Sequence, residues 1–547
     1  MTDSWNRPEQ DGGVTRSGMN TQTTTAELAE PNLRRLLSTA GLDVEYTRAD
    51  GNIIYRRGED GGEIPVLDYA GGYGSLIFGH NHPEIVACAR ELLDEGTAVH
   101  AQFSSHPYAN QLAAELNRII QRELGTDEPY YATFANSGAE AVEAAVKHAE
   151  MDRVMRLSKV LAEIEAGAES VRAAVKQGLA TVPDEVYARL ALSRAGSDEE
   201  GLELVITEIT RRNAAEAGKA PVFVALEAGF HGKLVGSVQL THNEAYRNPF
   251  TALGTRTRFL PRDRPDVLWR LLEEERGVLL RLALEDGRVR LVDEDHHPFC
   301  AFLLEPIQGE GGIHVLTTEF ARAIQEFSRA SGCPVVVDEI QSGTGRTGAL
   351  LASSAIGLRG DYYVLAKSLG GGIAKMSVML VREDVYREDF ELVHSSTFAK
   401  DSFSCHIALK VLELLEADGG RAYRQAAERG AALRAMLDRV RSEFPDVVKE
   451  VRGRGLMLGL EFHDQSDSED QVFRNAAQSH MFGYVIAGHL LHGHRIRTFP
   501  TASAVNTLRF EPSLLLTDGE IDLLERALTD VCAILRERAS HRLAIPA

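Results

Sequence analysis

The chain has 547 residues, 44% hydrophobic and 25% charged, the profile of a globular protein large enough for two or three domains around a sizeable core. Its 59 Lys and Arg against 80 Asp and Glu leave a net charge of −21, which argues against nucleic acid or an anionic membrane surface as its main partner. No apolar run approaches the ~20 residues that a membrane-spanning helix needs.

Residues 1–25 are polar and Gly-rich, read as a disordered tail with no signal-peptide pattern, and residues 26–37 as an amphipathic helix. Short strands are predicted over 44–55, folding back at Asp50-Gly51-Asn52, and over 66–69. His80 and His82 have no third ligand nearby in sequence, so they are read as loop residues and no metal site is expected. Helices are predicted over 83–93 and 110–123, then a strand over 130–134 that runs into Asn136-Ser137-Gly138-Ala139-Glu140 and a helix start. Strand, small residues and helix N-terminus make an anion cradle, although Ser-Gly is also an ordinary cap signal. Residues 151–220 read as a mostly helical surface insertion with breaks at 181–183 and 195–197, and residues 268–292 as a second, smaller one. Further on, helices are predicted over 403–418, 422–444, 471–485 and 518–537, the last capped by Thr517 with Glu520 in its first turn. Cys88, Cys300, Cys333, Cys405 and Cys532 are scattered without a CxxC pair, which fits reduced thiols in a cytoplasmic protein.

Four apolar runs end in residues able to do chemistry. Residues 221–226 lead into Glu227-Ala228-Gly229-Phe230-His231-Gly232, 301–304 into Glu305-Pro306, 334–337 into Asp338-Glu339, and 362–365 into Ala366-Lys367-Ser368-Leu369-Gly370-Gly371-Gly372. In an open α/β sheet, ligands bind beyond the carboxyl ends of the strands, so Glu305, Asp338 and Lys367 are predicted to share one rim.

These motifs, in this order, resemble the class III pyridoxal-phosphate aminotransferases of fold type I, a family that includes ornithine, acetylornithine and 4-aminobutyrate aminotransferases. The resemblance runs from about residue 67 to 537 apart from 151–220. It implies an α/β fold: a large cofactor domain over 101–395 built on a mostly parallel seven-stranded sheet, and a smaller α+β domain from 26–100 and 396–547. Lys367 would hold pyridoxal 5′-phosphate (PLP) as a Schiff base and shuttle the proton, while Asp338 keeps the pyridine nitrogen protonated. Ser137, Gly138 and Ala139 match the phosphate cradle, Phe230 the stacking aromatic, His231 its neighbour and Gln341 the residue near the phenolic oxygen. Thr397 matches a threonine that reaches the phosphate across a homodimer interface. Arg509 matches the fork for the substrate α-carboxylate, and Glu310 the acid that masks it. The implied reaction is ping-pong amino transfer between an amine donor and an oxo-acid acceptor, with glutamate and 2-oxoglutarate as one pair; the alternative is an aminomutase resembling the glutamate-1-semialdehyde enzyme. Three stretches depart from the family pattern: Tyr73-Gly74-Ser75-Leu76-Ile77-Phe78, Ala374-Lys375-Met376, and Ala399-Lys400-Asp401-Ser402. They predict a specialised amine substrate rather than plain ornithine.

Overall fold

A computed structural model of the chain describes residues 28–58, 60–100 and 104–544. The predicted tail lies outside these residues, and the helix expected over 26–37 is found at Pro31–Thr39. Seven strands build the central sheet: β1 (Tyr130–Ala135), β2 (Val222–Leu226), β3 (Arg256–Leu260), β4 (Phe299–Leu304), β5 (Val335–Asp338), β6 (Tyr362–Leu365) and β7 (Ser377–Arg382). Their order is β1-β7-β6-β5-β4-β2-β3. β5 runs parallel to β4 and β6, and β2 parallel to β3 and β4, whereas β7 is antiparallel to both of its neighbours. The fold is therefore α/β with a mostly parallel sheet.

The inner strands are apolar along their whole length because both faces are covered. Val335 and Val337 of β5 enter one core with Phe302 and Leu304, while Val336 enters the other with Leu303 and Val364. A long helix, α1 (Gly138–Lys176), covers the second core through Ala141, Ala144, Ala145 and Ala149, small residues that let helix and sheet approach closely. The segment Ser402–Glu443 covers the first through Ile407, Val411 and Leu415. It bends at 417–420, where Ala417 is extended and Asp418, Gly419 and Gly420 are left-handed, so two helices meet there as the sequence predicts.

Segments from early and late in the sequence pair outside this sheet. Glu63–Asp68 pairs antiparallel with Ile53–Arg57 and parallel with Ile496–Arg497. An antiparallel sheet of Val448–Arg454, Met457–Phe462, Thr507–Phe510 and Phe499–Pro500 carries Arg509.

Three expectations are revised. The helix α1 runs unbroken through residue 151, so the extra helices grow from it rather than starting there; α2 (Asp184–Leu190) and α3 (Asp198–Ala217) follow, separated at the predicted breaks. Residues 268–292 do not stand apart from those helices. After the helix Pro265–Glu274 they form a hairpin, Gly277–Glu285 with Arg288–His296, whose Leu280, Leu282 and Val289 share a satellite core with Val171 of α1, Val186 of α2, and Val205 and Ile209 of α3. The helix expected over 471–485 is two, Gln471–Gln478 and Phe482–His494, parted by His480 at φ 58°. Among the described residues no helix is long and apolar enough to cross a membrane.

Candidate active site at the carboxyl rim of the sheet

A cavity of about 570 Å³ opens at the carboxyl ends of the parallel strands. Ser137, Gly138 and Ala139 follow β1, Phe230 and His231 follow β2, Glu305 follows β4, Asp338 ends β5, and Lys367 lies just beyond β6; all line this cavity, as does Gln341. Residues far apart in sequence thus converge because strand ends converge.

At the first wall, Ser137 caps α1. Its hydroxyl accepts the Glu140 amide at 3.4 Å, and Glu140 Oε2 accepts the amides of Asn136 (2.7 Å) and Ser137 (2.9 Å). The next amides, of Gly138 and Ala139, belong to the first helical turn, where the helix offers no carbonyl. A side chain at 138 would crowd Ile340, with its Cβ 2.7 Å from the flexible Cδ1 end; at Gly232, held at φ 115°, a Cβ would lie 2.7 Å from that of Ala139. The result is a bare backbone cradle at a positive helix end, suited to a phosphate.

Opposite stands a buried carboxylate network. Asp338 Oδ2 accepts from His231 Nδ1 at 2.8 Å and its Oδ1 from the Ile340 amide at 3.1 Å, while His231 Nε2 is buried without a partner. Glu305 accepts the amides of Phe230 (2.9 Å) and Gly309 (3.0 Å), tying the aromatic loop to the glycine-rich one. Burial pushes the Glu305 carboxyl up to about 7; His231 opposes this and Asp338 adds to it. Phe230 meets Tyr246 edge-on, with ring centroids 6.3 Å apart.

Lys367 takes a left-handed backbone (φ 46°), a conformation that costs a lysine about 1 kcal/mol or more and that surrounding packing must enforce. Burial draws its ammonium below the usual lysine range, against the opposing pull of Glu511 and Glu310. Beyond the cavity wall, Arg509 is fully buried and grips Glu310 with both prongs: Nη1 donates to Oε1 at 2.6 Å and Nη2 to Oε2. Burial raises the Glu310 carboxyl, but the guanidinium overrides this and holds it at about 2. The Tyr73 ring lies 5.1 Å from the guanidinium.

Thr397 does not line the cavity. It is exposed on the loop whose Ser396 hydroxyl accepts from Asn136 Nδ2 at 2.9 Å, next to the cradle. Lys375, in one of the departing stretches, does line it. Sequence reading missed Glu511, which is fully buried and bonded to Gln341 at 2.7 Å, and Arg346, buried with its two Nη atoms on the carbonyls of Leu456, Pro512 and Gly74. Glu511 lies two positions from Arg509, just beyond the end of its strand Thr507–Phe510, and that period-2 relation was the available signal.

The arrangement fits PLP: an amine of lowered pKa, a carboxylate held by a histidine, an aromatic, and a cradle of small residues at a helix N-terminus. Comparison with known proteins agrees. Residues 38–532 match the family Aminotransferase class-III. A diaminobutyrate–2-oxoglutarate aminotransferase from Rhizobium meliloti is 29% identical over 492 residues, covering 87% of this chain and 85% of that protein. Two solved structures share the fold: ornithine aminotransferase from Toxoplasma gondii (TM-score 0.63, 21% identity, 90% of this chain and 91% of that one) and a PLP-bound amine transaminase from an uncultivated Pseudomonas species (TM-score 0.64, 21% identity, 95% and 100%). With the family match spanning most of its length, the chain belongs to the class-III aminotransferases and is a PLP-dependent enzyme.

Proposed function

We propose that the protein moves the amino group of a donor bearing an amine distal to its carboxylate onto 2-oxoglutarate, by a ping-pong mechanism in a homodimer of the cytoplasm. The observation that carries this reading is the Arg509–Glu310 pair, closed and bidentate in the protein interior. While the pair is closed, no guanidinium is offered to an α-carboxylate, and a distal amine is the end that enters. When Glu310 withdraws, Arg509 presents its planar fork to glutamate or 2-oxoglutarate. A relative named for diaminobutyrate and 2-oxoglutarate supports such a pair of substrates. The aminomutase alternative is not favoured, because the family and the named relative are aminotransferases.

Ser137, Gly138 and Ala139 would hold the phosphate of PLP, Phe230 would face its ring, Asp338 its ring nitrogen and Gln341 its phenolic oxygen. Bound there, PLP supplies an electron sink for the carbon that carries the amine. Asp338 holds the ring-nitrogen proton by charge pairing, and His231 fixes the orientation of that carboxylate. Lys367, drawn toward its neutral form, would hold the cofactor's aldehyde until the donor amine displaces it, and would then carry the proton between the amine-bearing carbon and the cofactor carbon bonded to the same nitrogen.

Dimerisation is supported by Leu392, Val393 and Phe398, which are 88%, 64% and 62% exposed beside the cradle. In a dimer the loop carrying them would bring Thr397 to the partner's phosphate. The departing stretch that places Lys375 on the cavity wall supports a specialised donor. The test is a single-turnover assay of the PLP-loaded protein with one donor and no acceptor. One equivalent of oxo product per site, and sustained turnover only on adding 2-oxoglutarate, supports the reading; sustained isomerisation without any acceptor overturns it.

A further inference from the structure

Glu511 belongs to none of the roles above, yet it is wholly enclosed beside the site. Its Oε1 accepts from Gln341 Nε2 at 2.7 Å, and its Oε2 is buried without a hydrogen-bond partner, 3.9 Å from Arg509 Nη1. A carboxylate only accepts, so this contact decides which way the Gln341 amide faces: nitrogen toward Glu511, oxygen away. The oxygen lies against the bare Cα of Gly309, where a Cβ would approach it to 2.2 Å. Of the two amide protons on Nε2, one is taken by Glu511, and the other remains for whatever fills the cavity that Gln341 lines.

We propose that Glu511 is a positioning residue: by fixing the Gln341 amide it keeps an N–H, rather than a carbonyl oxygen, directed at the phenolic oxygen of PLP. The inference rests on the placement of Gln341 beside that oxygen in the proposed function. Without an acceptor at 511 the amide rotates freely and presents lone pairs to the phenolic oxygen for part of the time. An N–H donor favours the anionic form of that oxygen, so its loss raises the pH at which the cofactor ionises. The charged groups facing this corner are Arg509 and Glu310 from the far wall, Lys367 and Asp338 from the strand ends, and Arg346, whose Nε is also buried without a partner. Removing the charge of Glu511 acts through these groups as well, so the test compares two variants that both lack it.

The experiment follows the visible absorbance of the PLP-loaded protein against pH. E511Q keeps an oxygen that accepts from Gln341; E511M fills the same volume with none, and E511A serves as a second acceptor-less variant should E511M not fold. The expected result is a midpoint about one unit higher in E511M than in E511Q, the size of one charge-assisted hydrogen bond. In a Q341A background the two midpoints should coincide. A difference that is absent with Gln341 present, or that persists without it, overturns the inference. A Q341A single variant with an unchanged midpoint overturns the placement of Gln341 and the inference with it; a shifted Q341A with equal E511M and E511Q midpoints overturns the inference alone.

Discussion

Glu310 and Arg509, 199 positions apart in the chain, meet as a two-pronged ion pair, each Nη of the guanidinium donating to its own carboxylate oxygen. Glu310 is also held by the Ala502 amide at 2.8 Å, and Arg509 by the Pro500 carbonyl at 3.3 Å, so each partner has a second contact in the closed pair. Glu310→Gln removes the charge that masks Arg509. The expected outcome is a fall in KM for glutamate and 2-oxoglutarate of about tenfold and a comparable loss in kcat/KM for a distal-amine donor, read from half-reaction kinetics with each substrate alone. The folded carboxyl, at about 2, lies below its unfolded value. The stability it contributes is therefore full above the unfolded pKa of about 4.3 and is lost only as pH falls through 2. Between pH 5 and 9 the ratio of the two KM values should not move through this pair.

Lys367 is drawn toward neutrality by burial, against the pull of two carboxylates. Its amine should therefore be free to attack an aldehyde at a pH where an exposed lysine is still charged. The rate at which cofactor-free protein captures PLP should rise with pH to a midpoint below 10.5, the ordinary lysine value, and then level off. Lys367→Met should abolish the visible band and reduce turnover by ~10³-fold or more, with the thermal melting of the cofactor-free protein little changed. Borohydride reduction followed by peptide mapping checks the attachment point.

The strand-end residues were legible because each follows a short apolar run and opens a loop that contains glycine. Phe302 to Glu305, Val335 to Asp338 and Tyr362 to Lys367 read directly as buried strands delivering a polar group to a rim. What stayed hidden was non-local or broke no pattern. The apolar period of 3.6 continues from 471 into 485 across the kink at His480, so only the left-handed φ there reveals two helices. Residues 151–220 and 268–292 read as two insertions, because the satellite core that Ile209 shares with Leu280 and Leu282 joins positions some seventy residues apart. Glu511 follows Phe510 and precedes Pro512 as Glu305 precedes Pro306, but no glycine-rich loop comes after it, and its contact with Gln341 spans 170 positions.

The joint between α3 and the hairpin gives a prediction of stability without chemistry. Asn213 uses its whole amide on one residue, donating to the Leu280 carbonyl and accepting the Leu280 amide, both at 2.8 Å in a buried setting. Asn213→Ala leaves two backbone groups unpaired, each costing ~1–3 kcal/mol. Hydrogen exchange and limited proteolysis should both rise within residues 177–217 and 277–296, while kcat and KM stay as in the unaltered protein. A loss of turnover matching the loss of protection would mean that the satellite supports the catalytic rim directly.

Glu305 supplies the clearest pH dependence of stability. Burial holds its carboxyl at about 7 in the folded state, above the unfolded value of about 4.3. Between these two values the folded protein retains a proton that the unfolded chain has released, so the unfolded state binds fewer protons and stability falls as pH rises. The contribution is fully present below pH 4.3 and gone above 7, a span worth about 4 kcal/mol, of which about 3 falls between pH 5 and 8. Glu305→Gln cannot ionise and should lack this slope. It carries instead a fixed cost at every pH, because an amide offers one acceptor where the Phe230 and Gly309 amides need two. Urea unfolding of both proteins, cofactor-free and at one protein concentration, should place the variant below the unaltered protein at pH 5, with the gap narrowing by about 3 kcal/mol at pH 8. A gap that stays constant over this range would mean that Glu305 is ionised in the folded protein throughout, stabilised by the two amides and His231 rather than neutralised by burial.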